Sequence, residues 1–363
     1  MKILHTESSC GWGGQEIRIL SEAEGMIGRG HELTLIAPRE ARIHGAALKR
    51  GLNVVALPIA RKGIRGMLAL RSWLKDRQPD VLNTHSSTDT WLSAIACATL
   101  PRPPAIVRTR HISARVPNDP FTRWLYLNAT RHIVTTGEGL RAQLVRENGF
   151  PPERITSVPT GVDLNRFAPG ERAAARRATG LPPERLLIGI VATLRSWKGH
   201  RYLIDAFAGL PADTGLVIVG DGPQRQNIES QIAALRLGER VWLPGNQEDV
   251  LPWLQSLDVF ALPSYANEGV PQALVQAMLC GLPCVTTLAG SIGEVARDGV
   301  TAVVVGAEDA ADLRRGLQAI LADPKLRERL GSAAHLHCVG NFGKEAMLER
   351  MEGIFREAVN SIR

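Results

Sequence analysis

The sequence predicts an α/β chain built as two doubly wound, parallel-sheet domains facing a cleft. Three observations lead there. Short apolar runs alternate with amphipathic helical stretches through the first half, a polar segment rich in Pro and Gly breaks the rhythm, and the rhythm then restarts. Strands that alternate with helices pair in parallel and are covered on both faces. At 363 residues the chain exceeds what one core usually serves, so two domains are expected.

The elements follow in order. "KILH", "LTLIAP", "NVVALP", "DVLNTH", "AIVRTR", "HIVTT" and "ITSVPTG" read as strands bounded by turn residues, with helical patterns such as "GQEIRILSEAEGMIGRG" and "IRGMLALRSWLKDRQ" between them. "VDLNRFAPGERAAARRATGLPPER" is read as the connection between domains. After it "LLIGIVATL", "TGLVIVGDG", "RVWLPG", "VFALPS", "PCVTT" and "TAVVV" continue the strand series. The closing "KEAMLERMEGIFREAV" is an amphipathic helix with Met347, Leu348, Met351, Ile354 and Phe355 near one face. The expected boundaries are 1–168, 169–343 and a final helix at 344–363.

Composition narrows the class. Hydrophobic residues at 44% and charged residues at 22% are ordinary for a soluble globular chain. No apolar run approaches the roughly 18–20 residues of a membrane span. The opening "MKILHTESSC" runs straight into a strand, leaving no room for a signal peptide. The five cysteines are scattered and no His or Cys pair completes a zinc site, so reduced thiols in a cytoplasm are expected. Residues 1–170 carry 23 Lys+Arg against 14 Asp+Glu, a net +9, and residues 171–363 carry 20 against 22, a net −2. The basic half suits an anionic lipid surface or a phosphorylated acceptor, or simply serves solubility. Nucleic acid is not expected, because the basic residues form no dense run and lack interleaved aromatics.

In doubly wound sheets ligands bind beyond the carboxyl ends of the strands, and the informative residues fall there. In "SSCGWGGQE", Gly11, Gly13 and Gly14 allow close backbone approach to a phosphate at a helix start, with a plain tight turn as the competing reading. Glu16 replaces the third glycine of a dinucleotide fingerprint, so NAD is not expected. "RTRHIS" ends a strand with Arg108, Arg110 and His111; "NTHSSTD" offers His85 with Asp89 as a rival. Each histidine can equally be a structural hydrogen bonder. In "ATLRSWKGH", Arg195 and Lys198 are two cations beside a helix start, suited to a diphosphate or else merely solvated. Gly220 and Gly222 of "VIVGDGPQR" permit unusual backbone angles.

The segment "YANEGVPQALVQAMLCGLPCV" carries most information. Pro271 suits the first helical position, leaving the N–H groups of Gly269 and Val270 free beside Glu268. Carboxylate and amides together could receive a polyol, and Gln276, about two turns on, could reach another part of the same ligand. Helix capping is the competing role for Glu268.

Together these motifs resemble the family-4 retaining glycosyltransferases, whose GT-B fold pairs two Rossmann-like domains, and the likeness covers nearly the whole chain. Its most specific part is the family's Glu–seven residues–Glu block and following Gly-Xaa-Pro, here "EGVPQALVQAMLCGLPCV" with Gln276 at the second Glu. The resemblance implies an N-terminal acceptor domain, a C-terminal nucleotide-sugar domain and a last helix crossing back to the first. It implies that Glu268 contacts sugar hydroxyls, assisted by Gly269, Val270 and Pro271, that Gln276 meets the ribose, and that Lys198 meets the diphosphate. Thr193 stands where the family commonly has Arg, and Arg195 could supply that guanidinium. His111 resembles the family histidine near the transferred sugar, Gly13 and Gly14 the loop near diphosphate and acceptor, and Glu294 a further acidic position.

The implied activity is metal-independent, cofactor-free and retaining: transfer of a sugar from a nucleotide-diphosphate donor to a glycan or lipid-linked acceptor, with lipopolysaccharide or surface polysaccharide as the setting. The departing phosphate would act as base, and Arg195, Lys198 and helix N-termini would stabilise it. "ARKGIRGMLALRSWLKDRQ", with Arg61, Lys62, Arg65, Arg71 and Lys75 near Met67, Leu68 and Trp73, is either a membrane-surface stretch on the inner face or a helix packed on its sheet. A nucleotide-sugar epimerase of the same fold and a non-catalytic nucleotide-sugar binder remain as rivals.

Overall fold

The computed structural model describes residues 1–361. All thirteen apolar runs form strands, and they assemble into two separate parallel sheets. Each sheet belongs to one compact unit: Met1–Gly161 with the chain from Glu345 onward, and Val162–Lys344.

The first unit holds β1 (Lys2–Thr6), β2 (Glu32–Ala37), β3 (Val54–Ala56), β4 (Val81–Thr84), β5 (Ala105–Arg110), β6 (His132–Thr135) and β7 (Ile155–Ser157). They lie in the order β3-β2-β1-β4-β5-β6-β7. Ile3 pairs with Leu33 on one side and Val81 on the other, so the strand order reverses at β1/β4. Such a reversal opens a crevice at the carboxyl ends of the two strands. The helix Gly14–Gly28 buries Ile19, Leu20, Ala23 and Met26, spaced to face one side.

The closing helix, Lys344–Asn360, completes this unit. Met347, Leu348, Met351, Ile354 and Phe355 all enter its core, each burial stabilising by roughly 1.5–3 kcal/mol. Gly25 makes room: a Cβ there would collide with the Leu348 side chain. Arg29 bonds Glu345 at 3.0 Å and Glu352 at 3.1 Å, tying the helix to the first one's end.

The second unit holds β8 (Leu186–Val191), β9 (Thr214–Val219), β10 (Val241–Gly245), β11 (Val259–Leu262), β12 (Cys284–Thr286) and β13 (Val303–Val304). Their order, β10-β9-β8-β11-β12-β13, repeats the reversal, here at β8/β11.

One boundary and the connecting segment differ from expectation. Residues 162–168 pack with the second unit, not the first, because Val162 N–H donates to Phe342 O (2.8 Å) and Val162 and Phe167 enter the second core. The presumed connecting segment also contains a helix, Arg172–Thr179. Glu171 caps it, Gly180 ends it in the left-handed region, and Arg172 (2.6 Å) and Arg176 (2.7 Å) clamp the buried Asp258. Its polarity and its Pro and Gly residues made the stretch read as a connection.

Candidate active site

In the second unit, the loops after β8 and β11 leave the sheet side by side at the reversal. The β8 loop ends in a short 3-10 turn, Ser196–Lys198, and then the helix His200–Ala208. Gly199 joins them at φ +76, and a Cβ there would run into the Pro263 carbonyl oxygen at the end of β11. Tyr265 N–H donates to Trp197 O (2.9 Å), so the two loops are stitched together. The result is an ion pair: Lys198 Nζ lies 2.6 Å from Glu268 Oε1, with the carboxylate side chain 5% exposed and the ammonium side chain 19%. A cation expected on a diphosphate and an acid expected on a sugar are therefore partners. The roles remain compatible, since the ammonium has two further N–H donors and Glu268 keeps Oε2 as acceptor.

The Glu268 loop is held closely. Asn267 adopts φ 58, and a Cβ on Gly290 would strike the Glu268 carbonyl. Pro271 is the residue before the helix Gln272–Leu279, with extended φ and ψ, and not its first residue as expected. Its carbonyl must accept from Leu274 (3.1 Å) and Val275 (3.2 Å), which the cap position provides. Gly269 and Val270 are buried beside it, and neither N–H donates to a backbone carbonyl among the described residues. Gln276 is buried in mid-helix, with no hydrogen bond to Lys198 or Glu268 among the described residues. Ser264 Oγ and Gln272 Oε1 flank the loop, buried and without hydrogen-bond partners among the described residues.

Arg195 is exposed, its guanidinium 5.6 Å from the Trp197 ring. Gly220 (φ +140) and Gly222 pass tightly beneath the β8 loop, where a Cβ on Gly222 would sit 2.8 Å from Leu194 O. Their place is structural support for that loop. Thr193 is half-buried beside them, and Glu294 closes a 3-10 turn whose carbonyl takes a His337 ring nitrogen. His200 is buried, and burial followed by the charge of Lys198 lowers its pKa to about 3, so it is neutral.

The first unit's reversal carries different chemistry. Gly13 precedes the helix Gly14–Gly28 with extended φ, so its backbone demands no glycine. His111 follows β5, and its Nε2 lies 3.0 Å from His85 Nδ1. His85 Nε2 in turn lies 3.0 Å from His5 Nδ1. The two rival histidines thus belong to one chain, and Asp89 is not part of it. Asp89 instead accepts the backbone N–H groups of His85 and Ser86 (2.9 Å each) and the Thr6 hydroxyl (2.8 Å), capping the helix Ser87–Ala98. Arg108 and Arg110 both donate to Tyr126 Oη (3.0 and 2.8 Å), which fixes them as structural.

Three residues here escaped sequence reasoning. His5, inside β1, and Glu22, inside the first helix, are fully buried. Glu7, just past β1, is buried and accepts from Ser9 N–H (2.6 Å) and Ser86 Oγ (2.7 Å). Burial, then the charge of Asp89, pushes its carboxyl up to about 8. The signal was a charged residue on an apolar helix face and a histidine in an apolar strand. Beside Glu7 an open cavity of about 490 Å³ is lined by Ser8, Ser9, Glu40, Arg61, Ser86 and Thr88, among others. Among the described residues no His, Cys, Asp and Glu side chains group to hold a metal, and no helix is long and apolar enough to cross a membrane. Of the free cysteines, Cys10 is exposed and the other four are buried.

Two doubly wound units, each with polar side chains gathered at its strand reversal, define a GT-B-type chain. Comparison with known proteins agrees. Residues 12–166 match the model "Glycosyltransferase Family 4" and residues 171–337 match "Glycosyl transferases group 1". The D-inositol 3-phosphate glycosyltransferase of Streptomyces bingchenggensis (strain BCW-1) is 28% identical over 82% of this chain, which spans 65% of that relative's length. The enzyme of that name from Mycobacterium sp. (strain KMS) is 29% identical, with 89% of this chain and 81% of the relative covered. The crystal structure of Anabaena Alr3699/HepE in complex with UDP-glucose superposes with a TM-score of 0.87 at 20% identity, covering 99% of this chain and all of that one. The chain belongs to the family-4 glycosyltransferases.

Proposed function

We propose that this protein transfers a sugar, with retention, from a nucleotide-diphosphate sugar to a hydroxylated acceptor. The observation that carries the reading is the Lys198–Glu268 pair at the β8/β11 reversal. There a cation and an acid stand 2.6 Å apart, beside buried Ser264 and Gln272 atoms that lack hydrogen-bond partners among the described residues. The two free N–H bonds of Lys198, with Arg195 nearby, would hold the diphosphate and meet the charge that grows on it as the glycosyl bond breaks. Glu268 Oε2 would accept from sugar hydroxyls, Gly269 and Val270 would donate to them, and Gln276 would meet the ribose through an uncharged amide. The departing phosphate would take the acceptor's proton, which needs no metal and no protein nucleophile. The names of the relatives and of the Anabaena complex favour a UDP-type donor and a phosphorylated polyol acceptor. His111 would meet a substrate hydroxyl at the first unit's strand reversal.

The acceptor would enter the first unit's cavity, where hydroxyls of Ser8, Ser9, Ser86 and Thr88 offer hydrogen bonds and Arg61 a positive charge. A lipid-linked or lipopolysaccharide-type acceptor at the cytoplasmic face of a membrane fits a second feature. The helix Ile64–Arg77 packs through Gly66, Leu70 and Leu74 but leaves Ile64 75% and Leu68 54% exposed, next to Arg61, Lys62 and Arg65. Exposed apolar residues set among cations suit an anionic lipid surface.

Incubating the protein with a panel of nucleotide sugars tests the reading. Slow hydrolysis of one donor, abolished by Glu268→Ala, is expected. Epimer formation would point to an epimerase, binding without turnover to a carrier, and undiminished turnover by Glu268→Ala would overturn the site.

A further inference from the structure

We propose that Glu22, His5 and His85 form a buried relay that holds His111 in its Nε2–H tautomer, leaving Nδ1 as a hydrogen-bond acceptor for a substrate hydroxyl. The proposal rests on the reading that His111 faces substrate, but its central claim concerns the protein alone.

The geometry fixes the order of donors. Arg18 is fully buried, and a guanidinium stays charged in a protein. Its counter-charge is Glu22, one turn along the same helix, 3.6 Å from Arg18 Nε. Arg18 also donates to Val158 O at 2.6 Å, and Asn83 donates to Glu22 Oε1 at 3.3 Å. Every polar neighbour of Glu22 is thus a donor, which suits an ionised carboxylate. His5 Nε2 faces that same Oε1 at 3.6 Å. A lone pair there would oppose the carboxylate, so the proton of His5 sits on Nε2 and its Nδ1 must accept.

Each remaining step follows from neutrality. His85 Nε2 then donates to His5 Nδ1, and His85 Nδ1 must accept from His111 Nε2, both at 3.0 Å. His111 is left with Nδ1 unprotonated and without a protein partner among the described residues. Neutral rings are favoured, although the Glu22 carboxylate facing His5 pulls the other way. Burial leads, and Arg18 on the first helix with Arg108 and Arg110 on β5 adds positive charge against protonation. Asp89 faces the backbone of His85, not its ring, and from the closing helix the uncharged Phe355 packs edge-on against His5. His5, His85 and Glu22 are therefore positioning residues that act through His111. An acceptor at Nδ1 selects a ligand group that brings its own proton, a sugar hydroxyl and not a phosphate oxygen.

Histidine nitrogen-15 spectra of the whole chain, without donor, test this at roughly pH 6–8, where an ordinary histidine changes charge. His111 should show a protonated Nε2, an imine-type Nδ1 and no charging across the range. A proton on His111 Nδ1, or an equal mixture of tautomers, would overturn the relay. In Glu22→Gln, with fold checked by circular dichroism, the single tautomer should give way to a mixture, and kcat/KM for donor turnover should fall about two-fold, as the fraction of His111 with a free Nδ1 lone pair falls to about half. An unchanged His111 spectrum in that variant would remove Glu22 as the anchor. If Glu22→Gln does not fold, the native spectrum still decides. His111→Ala with undiminished turnover would instead defeat the substrate contact while leaving the tautomer assignment standing.

Discussion

Replacing Lys198 by Met keeps most of the apolar stem and removes only the charge. Glu268 would then lie nine-tenths buried with no counter-ion, since its side chain is 5% exposed and the ammonium 2.6 Å away is its ion-pair partner. Removing one member of a fully buried pair costs roughly 3–5 kcal/mol, and the 19% exposure of Lys198 lets water recover part of that. We therefore expect about 2–3 kcal/mol from Lys198→Met. In a unit of this size that is a melting shift of about 5–10 °C.

The reverse substitution should cost less. Glu268→Gln leaves a carbonyl that still accepts from Lys198, and the ammonium is open enough to regain water, so about 1 kcal/mol is expected. Thermal and urea unfolding of both single variants and the double variant measure the asymmetry and the coupling. The reasoning fails if Lys198→Met costs less than Glu268→Gln, or if the two effects simply add. Donor turnover is a separate readout: loss of one charge-stabilising donor should lower kcat by about a hundred-fold or more.

Other perturbations probe the frame around this pair. Gly199→Ala adds a left-handed alanine and a collision with Pro263 O, so about 2–4 kcal/mol is expected, with loss of turnover because Lys198 is displaced. Gly281→Ala is the control: it has the same φ of +76 but only ordinary contact, 3.5 Å to Pro169 Cγ, and should cost about 1 kcal/mol in unfolding experiments. In the closing helix, Arg356 first, then Arg29 and His31, hold the Glu352 carboxyl down to about 2 from an ordinary 4.5. A depressed pKa contributes stability that is complete above about pH 4.5 and lost as pH falls towards 2, so acid unfolding of Glu352→Gln should show about 1–2 kcal/mol less pH dependence in that window, after solvent screening. Ile64→Ser with Leu68→Ser should reduce sedimentation with anionic vesicles and leave the melting temperature unchanged, since both side chains are largely exposed.

The strands were legible because parallel sheets covered on both faces demand continuous apolar runs, and each such run in this chain is bounded by turn residues. The Lys198 and Glu268 loops were legible for a related reason: each follows its strand within a few residues, so local order already sets it at a strand end. What stayed hidden depends on contacts distant in sequence. His5 and His85 are separated by 80 positions and His85 and His111 by 26, and only the adjacency of β1, β4 and β5 brings their rings together. Asp89 beside His85 looked like a functional pair in one dimension, whereas its geometry is that of a cap. The helix Arg172–Thr179 was masked by its polar residues, two of them arginines whose partner, Asp258, lies over eighty residues away.

The two reversals show why motif strength and chemical importance need not coincide. At β8/β11 the paired groups are charges on short loops, and charges near glycine and proline leave a recognisable pattern. At β1/β4 they are protons, whose placement is decided by what each ring faces. A Glu7 carboxyl pushed up by burial and three imidazoles pushed down by it are products of a folded interior with little water, and the same residues in an extended chain would titrate ordinarily. Hydrogen-bond polarity in the first unit is thus a property that folding creates. On the relay proposed above, Glu22→Gln would change what His111 offers a ligand by shifting one ring proton while its heavy atoms stay in place, a change that residue types alone would not register.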